Sequence, residues 1–117
     1  MEFRILNSPE GPAVITLSGR FDAGSASDAE QMFRSVLANS PSSLIVDMSG
    51  VDYISSGGLR ILVMVSKTLA KSGGRIVLCG LTPFVAEVFQ ITNLASLYTI
   101  LPNVTDALAT LSRESEN

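Results

Sequence analysis

Residues 45–60 read IVDMSGVDYISSGGLR, and this stretch decides the fold. It begins inside a short apolar run, 44–48, which turn residues bound on both sides, as is typical of a buried strand. A Ser-Ser-Gly-Gly sequence at 55–58 then leads into the apolar segment 59–69. The two glycines at 73–74 follow where a left-handed helix end favours glycine. The pattern therefore predicts a buried strand that a tight turn joins to a helix.

The N-terminal part of the chain predicts a hairpin followed by a helix. Residues 3–5 alternate as in a half-buried strand, and 13–17 is a second, more apolar strand. The Ser-Pro-Glu-Gly-Pro stretch 8–12 is the turn between them. The helix that follows is predicted to have Ser25 or Ser27 as its N-cap. Its apolar face, spaced by three and four residues, comprises Ala29, Met32, Phe33, Val36 and Leu37.

The C-terminal part predicts two further strand–helix units. Residues 75–79 form another buried strand, and Thr82-Pro83 opens a helix with proline in its first turn. Residues 97–101 are typical of a short edge strand, and Asn103 is the predicted cap of a last helix. The order β-β-α-β-α-β-α-β-α indicates an α/β fold with a mixed, mostly parallel sheet and about four helices.

Chain length and composition indicate one domain. With 117 residues, 46% of them hydrophobic, the chain is long enough to bury a single core without disulfides or metals. We expect the domain to cover residues 1–112 and a polar C-terminal tail to cover 113–117. No apolar run reaches the roughly 18 residues that span a bilayer, and the N-terminus does not resemble a signal peptide. Membrane association is therefore not expected.

Charge and residue usage argue against several function classes. The net charge is −3 and the 8 basic residues are scattered, whereas a nucleic-acid binder usually carries a basic stripe. Histidine is absent, which removes the most common general base and metal ligand. The single cysteine, Cys79, fits a reducing, cytoplasmic environment and a position in the core. We therefore expect no catalytic residue, no metal and no cofactor, and we do not expect an enzyme.

The Ser55-Ser56-Gly57-Gly58 turn is the candidate functional segment. It follows the carboxyl end of a strand, where ligands and partners of open α/β sheets usually dock. The small neighbours leave both serine hydroxyls uncovered, and Ser56 is the predicted N-cap of the next helix. A plain helix cap in a tight turn is the alternative interpretation of the same residues. A nucleotide site is rejected, because the lysine of a phosphate-binding loop is missing and two glycines are too few.

The same stretch closely resembles a family signature. Residues 45–60 are similar to the signature of STAS domains in bacterial anti-sigma factor antagonists. Residues 17–22 resemble the family's strand that ends in Gly-x-hydrophobe-Asp, and 73–81 resemble its Gly-Gly turn and following strand. Residues 85–97 are similar to the family's helix that closes with a Leu-containing loop. The resemblance covers nearly the whole chain and implies a single STAS domain.

The resemblance implies a phosphorylation switch that regulates transcription. By position, Ser56 falls on the serine that the family's kinases phosphorylate. Many members carry Asp before this serine and Ser or Thr after it, where this chain has Ser55 and Gly57, so Ser55 is an alternative acceptor. In the family, the unphosphorylated domain binds an anti-sigma factor with a histidine-kinase-like ATPase fold and so frees a sigma factor. That partner is also the serine kinase, and a PP2C-type phosphatase reverses its action.

We expect the partner surface to surround Ser56. The helix that follows is predicted to pack one apolar side on the sheet and to present a second one to the partner, unless its own domain buries both. The side on the sheet comprises Leu59, Leu62, Val63 and Leu69, and the second comprises Ile61, Met64 and Val65. The predicted partner-binding residues are Asp22, Ser55, Ser56, Gly57, Gly58, Leu59, Arg60, Ile61 and Met64.

Two aspartates are predicted to have different roles. Asp22 matches the family's loop aspartate beside the phosphorylated serine and is a predicted partner contact. Asp47 is a predicted hydrogen-bond acceptor at a strand end. They are not expected to form a catalytic pair, because nothing else in the chain completes a catalytic set.

Three other functions are open to a chain of this kind. One is a structural STAS module that is never phosphorylated and docks on a transporter or a signalling scaffold. Another is a phosphoswitch in a pathway other than transcription, which differs only in its downstream partner. The third is a small nucleotide-binding or hydrolytic domain, against which the missing histidine and phosphate-binding loop argue. A monomer is the expected oligomeric state.

Overall fold

The computed structural model describes residues 1–6 and 11–115, and within them it confirms the predicted order of elements. Among these residues, the only element that was not predicted is a 3₁₀ turn before the last strand. The strands are β1 (Glu2–Leu6), β2 (Ala13–Phe21), β3 (Ser43–Ile54), β4 (Arg75–Cys79) and β5 (Thr99–Leu101). The helices are α1 (Ala23–Leu37), α2 (Ser56–Lys71), α3 (Pro83–Ile91) and α4 (Val104–Ser115), with the 3₁₀ turn at Leu94–Leu97.

The five strands form one sheet in the order β1-β2-β3-β4-β5. β1 pairs antiparallel with β2, as the predicted hairpin requires, and every other neighbouring pair is parallel. Parallel neighbours need a crossover connection, which α1, α2 and α3 with its 3₁₀ turn supply. Most of the turn predicted at 8–12 lies outside the described residues. The mixed, mostly parallel sheet is confirmed.

Helices cover the two faces of the sheet unequally. α1, α2 and α3 pack on one face, and their side chains join those of β2, β3 and β4 in the main core. α4 packs on the other face against β3, β4 and β5. The largest fully buried side chains of the main core are Phe21, Phe33, Phe89, Ile15, Leu17, Leu44, Met48, Leu62 and Leu78.

The N-terminus of α1 differs from the prediction. Its N-cap is Asp22 and not Ser25 or Ser27. The strand before it continues to Phe21, so the chain turns into the helix earlier than the apolar pattern indicates. Ser25 is instead the third residue of the helix, and its Oγ accepts a hydrogen bond from the Asp22 N–H at 3.0 Å. The two residues form a reciprocal capping box.

The C-terminus of α2 and the start of α4 follow the prediction. Gly73 has a left-handed φ of +79°, as a helix end of this kind requires. Asn103 caps α4, because its Oδ1 accepts a hydrogen bond from the Asp106 N–H at 2.8 Å. α4 itself continues to Ser115 and so includes the first residues of the stretch 113–117. An ion pair between Arg75 and Glu114 ties this last turn to β4.

The sides of α2 are also distributed differently from the prediction. Ile61 and Val65 are buried in the main core, together with Leu62 and Leu69. By contrast, Leu59, Val63 and Met64 are only partly buried. The reason is that α1 lies alongside α2, so that the domain covers α2 both from the sheet and from one flank. The predicted exposure of Ile61 and Val65 is wrong, and the alternative of burial by the domain itself holds for them.

Cys79 and Asp47 lie on the face of the sheet that α4 covers. Cys79 is fully buried, as predicted, and burial raises the pKa of its thiol to about 11. The neighbouring Asp47 carboxylate adds to this increase. Asp47 lies in the middle of β3 and not at a strand end, but its Oδ1 accepts a hydrogen bond from the Ser49 N–H at 3.0 Å. Among the described residues, no helix is both long and apolar enough to cross a membrane.

The packing of α2 predicts the stability of two matched variants. Leu62 is fully buried, whereas Leu97 is 74% exposed. Leu62→Ala should lower the free energy of unfolding by about 2–5 kcal/mol, because it removes core contacts and leaves a cavity. Leu97→Ala should change it by no more than about 0.5 kcal/mol. Urea denaturation followed by circular dichroism measures both values, and equal losses in the two variants would contradict this core.

Candidate partner-binding site at the carboxyl edge of the sheet

Two helices begin side by side at the carboxyl ends of β2 and β3. The strands are parallel and end in register, with Phe21 opposite Ile54. α1 then begins at Ala23 and α2 at Ser56, so both helix N-termini lie at this edge. The Ser55 N–H donates a hydrogen bond to the Phe21 carbonyl at 3.0 Å and links the two turns.

The N-cap of α2 differs from the prediction. Ser55 and not Ser56 is the N-cap of α2, and its Oγ accepts from the Gly58 N–H at 3.5 Å. The Ser55 carbonyl also accepts the first helical hydrogen bond, from the Leu59 N–H at 3.0 Å. Ser56 is the first helical residue and is exposed. Within the described part of the chain its hydroxyl has no hydrogen-bond partner, so it is accessible from solvent.

The two glycines after Ser56 meet different surroundings. A Cβ on Gly58 would lie 2.7 Å from the Phe21 carbonyl oxygen and 2.9 Å from side-chain carbons of Ile54 and Phe21. A Cβ on Gly57 would lie 3.6 Å from the Ala23 Cα, which is ordinary contact. The close approach of the two turns therefore requires glycine at position 58. Gly57 is not required by packing, but it leaves the surface beside Ser56 without a side chain.

Asp22 is held at the same edge by three groups. Its Oδ1 accepts from the Gly24 N–H at 3.0 Å and from the Ser25 N–H at 3.2 Å. Its Oδ2 lies 3.5 Å from the Arg20 Nε. Desolvation raises the pKa of Asp22, but the Ser25 N–H, the Arg20 guanidinium and the Gly24 N–H together outweigh it and hold the pKa below its ordinary value. Asp22 is thus an ionised helix cap whose side chain is still 35% exposed.

The rest of the predicted surface is only partly at the surface of the domain. Arg60 is exposed, and Leu59 and Met64 are half-buried. Ile61 is only 6% exposed and packs in the core, although it also lines the groove between α1 and α2. A groove of about 440 Å³ runs between α1 and α2 beside these residues. Its lining includes Ala23, Ala26, Glu30, Arg34, Gly57 and Arg60.

A stacked group of side chains at this edge was not singled out by the sequence. The Arg20 guanidinium lies over the Tyr53 ring, 4.1 Å from its centroid. Tyr53 in turn stacks on Phe84, with centroids 5.5 Å apart and planes at 20°. We call Arg20, Tyr53 and Phe84 the edge stack. The pairing of Arg20 with Tyr53 follows from the register of β2 and β3, in which the two residues lie opposite each other.

The site offers an accessible hydroxyl and a charged surface. Among residues 1–6 and 11–115, no group of three His, Cys, Asp or Glu side chains is placed to hold a metal ion. The Ser56 hydroxyl lies at a helix N-terminus, where backbone N–H groups and the helix dipole favour an anion. The arrangement is therefore suited to accept a phosphoryl group and to be contacted by a protein.

Comparison with known proteins identifies the family. A family model described as the STAS domain matches residues 4–107. The chain belongs to the STAS domain family. BtrV of Bordetella bronchiseptica, named as a candidate anti-sigma factor antagonist, is 32% identical to this STAS domain over 91 residues, 78% of either chain. The anti-sigma-F factor antagonist RsfB of Mycobacterium tuberculosis is 34% identical over 62 residues, 53% of this chain and 51% of RsfB.

A solved structure agrees with this assignment. The crystal structure of an anti-sigma factor antagonist from Mycobacterium paratuberculosis is 28% identical to this STAS domain. It superposes with a TM-score of 0.84 over 93% of this chain and 92% of that one. The resemblance seen in residues 45–60 is therefore confirmed at the level of family and fold.

The glycine pair predicts opposite effects of one substitution at neighbouring positions. Gly58→Ala should destabilise the domain by about 1–3 kcal/mol, because a Cβ at 2.7 Å from the Phe21 carbonyl forces the backbone to move. Gly57→Ala should leave the stability unchanged or raise it by up to about 1 kcal/mol, since alanine favours a helix and meets no close contact. Thermal unfolding of both variants tests this, and a larger loss for Gly57→Ala would be inconsistent with the described turn.

Proposed function

We propose that this chain is an anti-sigma factor antagonist whose binding is switched by phosphorylation of Ser56. The unphosphorylated domain binds an anti-sigma factor of histidine-kinase-like fold, and a sigma factor is thereby freed for transcription. The same partner phosphorylates Ser56 with ATP, and the modified domain dissociates. A PP2C-type phosphatase then restores the binding form.

The exposure of Ser56 at the first residue of α2 is the observation that carries this proposal. A kinase needs a hydroxyl that is not engaged within the domain, and Ser56 meets this requirement better than Ser55. The Ser55 hydroxyl caps α2 and is partly buried. The names of BtrV, RsfB and the Mycobacterium paratuberculosis protein support an anti-sigma factor as the partner.

A phosphate on Ser56 should leave the domain folded. It would add a charge of about −2 at the N-terminus of α2, where the helix dipole stabilises an anion by roughly 0.3–1 kcal/mol. α2 has no acidic residue in its first turn, so no carboxylate of that turn opposes the new charge. Unfolding is therefore not the mechanism of release.

The same phosphate should act strongly within an interface. Burying an unpaired double charge against a partner costs several kcal/mol through desolvation and repulsion. Each 1.4 kcal/mol changes the affinity about tenfold, so this cost exceeds the small gain from the dipole. Gly57 and Gly58 carry no side chain that would hold a partner away from Ser56. Release of the partner with an unchanged fold is the expected consequence.

The chain itself is proposed to have no enzymatic activity and to act in the cytoplasm. ATP would be bound by the kinase and not by this domain. Accordingly, isolated domain should show no saturable binding of Mg-ATP in isothermal titration calorimetry.

Reconstitution with purified partners tests the switch. Each histidine-kinase-like anti-sigma factor of the source genome would be incubated with the domain and Mg-ATP, and phosphopeptides would be mapped by mass spectrometry. One kinase should place a single phosphate on Ser56. The phosphorylated domain should then bind that protein, with ADP present, at least 100-fold more weakly than the unmodified domain, because about 3 kcal/mol of interface energy is lost.

Matched serine variants distinguish the acceptor from the cap. Ser56→Ala should abolish phosphorylation and retain binding, since it removes no hydrogen bond of the fold. Ser55→Ala should still be phosphorylated at Ser56, although loss of the cap lowers stability by about 0.5–2 kcal/mol. Phosphate on Ser55 alone would reassign the acceptor. Binding to an anti-sigma factor without any phosphorylation would instead indicate a constitutive binding module.

A further inference from the structure

The edge stack has open ends and a defined geometry. Arg20 contributes one end, and its side chain is 63% exposed. Phe84 contributes the other end and is 46% exposed. Tyr53 lies between them and is partly buried. Contacts with Arg20 and Phe84 restrict the Tyr53 ring, so the three side chains present a pre-ordered surface and would lose little entropy in a complex.

The edge stack is close to Ser56. Tyr53 precedes Ser56 by three positions, and three residue steps span at most about 11 Å even when the chain is extended. A partner that buries a standard area of about 800 Å² covers a patch of roughly 16 Å radius. Arg20 provides a second link, because it pairs with Asp22, the cap of the helix beside α2. A partner centred on Ser56 would therefore reach the edge stack.

The chemistry of the edge stack is typical of residues that dominate binding energy. Arginine and large aromatic side chains are enriched at the centres of protein interfaces. A guanidinium that is held over a ring is restricted in its motion, and its planar fork can bind a carboxylate through two hydrogen bonds. Phe84 adds an apolar surface beside this cation. The complementary surface is an acidic side chain next to an apolar one.

We infer that the edge stack is the second recognition element for the anti-sigma factor and binds an acidic–apolar pair on its surface. This inference rests on the proposed function and adds to it. The phosphorylation state of Ser56 at the N-terminus of α2 determines whether the complex forms, whereas Arg20 and Phe84 contribute affinity and specificity for the partner. Phe84 lies outside the stretches that carry the family resemblance, whereas Arg20 lies within the stretch 17–22.

Binding of the anti-sigma factor identified by the phosphorylation assay tests this inference. The unphosphorylated variants would be titrated with that protein and ADP by isothermal titration calorimetry. Arg20→Ala and Phe84→Ala should each weaken binding about tenfold, as expected for central interface residues. Arg20→Lys should recover only part of the affinity, because lysine keeps the charge but not the planar stack. Raising the salt concentration should reduce the effect of Arg20→Ala more than that of Phe84→Ala.

Ile91→Ala is the matched control. Ile91 is 73% exposed and is the last residue of α3, in which Phe84 is the second residue. Ile91 therefore lies about 10 Å from Phe84 along the helix axis, away from this edge. Its affinity should stay within twofold of the wild type. Thermal unfolding would verify that Arg20→Ala and Phe84→Ala are folded at the assay temperature. A loss of affinity that only follows a loss of folded protein would count against the inference.

The outcomes separate this inference from the proposed function. If the wild type binds and Ser56 phosphorylation prevents binding, but both variants bind like the wild type, the edge stack is not a recognition element. If no anti-sigma factor binds the wild type, the proposed function fails first. Tenfold losses in both variants, with unchanged affinity of Ile91→Ala, support the inference.

Discussion

The close approach of the turn after β3 to the end of β2 is the constraint on which the site depends. The Phe21 carbonyl accepts a hydrogen bond from the Ser55 N–H and leaves no room for a Cβ on Gly58. Because β2 and β3 are parallel, this contact places the first turns of two helices next to each other. It also fixes the direction in which α2 leaves the sheet, and thus the exposure of Ser56.

The two adjacent helix N-termini are electrostatically unequal. α1 is capped by the Asp22 carboxylate, which already places a negative charge against its N–H groups. α2 is capped by the neutral Ser55 hydroxyl and has no acidic residue in its first turn. The dipole of α2 is therefore the one left without an anion, and Ser56 is the residue at which a phosphoryl group would supply it. Under the proposed function, the different caps favour a phosphoryl group at the N-terminus of α2 over one at the N-terminus of α1.

Features that depend on local pattern were predictable from the sequence, and those that depend on packing were not. The bounds of β4 and the proline at the start of α3 follow from a bounded apolar run and from the fixed φ of proline. The N-cap of α1 is Asp22, which precedes both predicted caps, Ser25 and Ser27. The N-cap of α2 is Ser55, the residue before the predicted Ser56. Both helices begin where they do because sheet pairing extends β2 to Phe21 and β3 to Ile54. The burial of Ile61 depends on α1 lying alongside α2, which no periodicity within α2 reveals.

The burial of Ile61 also limits what α2 can contribute to a complex. Its accessible surface near Ser56 is small, since Arg60 is exposed but Leu59 and Met64 are half-buried. Two glycines add backbone and no side chains. A standard interface needs about 800 Å² from this domain, which one face of a partly covered helix does not provide. Under the proposed function, the remaining area comes from neighbouring turns of the same edge, where the register of the folded strands brings Arg20 and Tyr53 together.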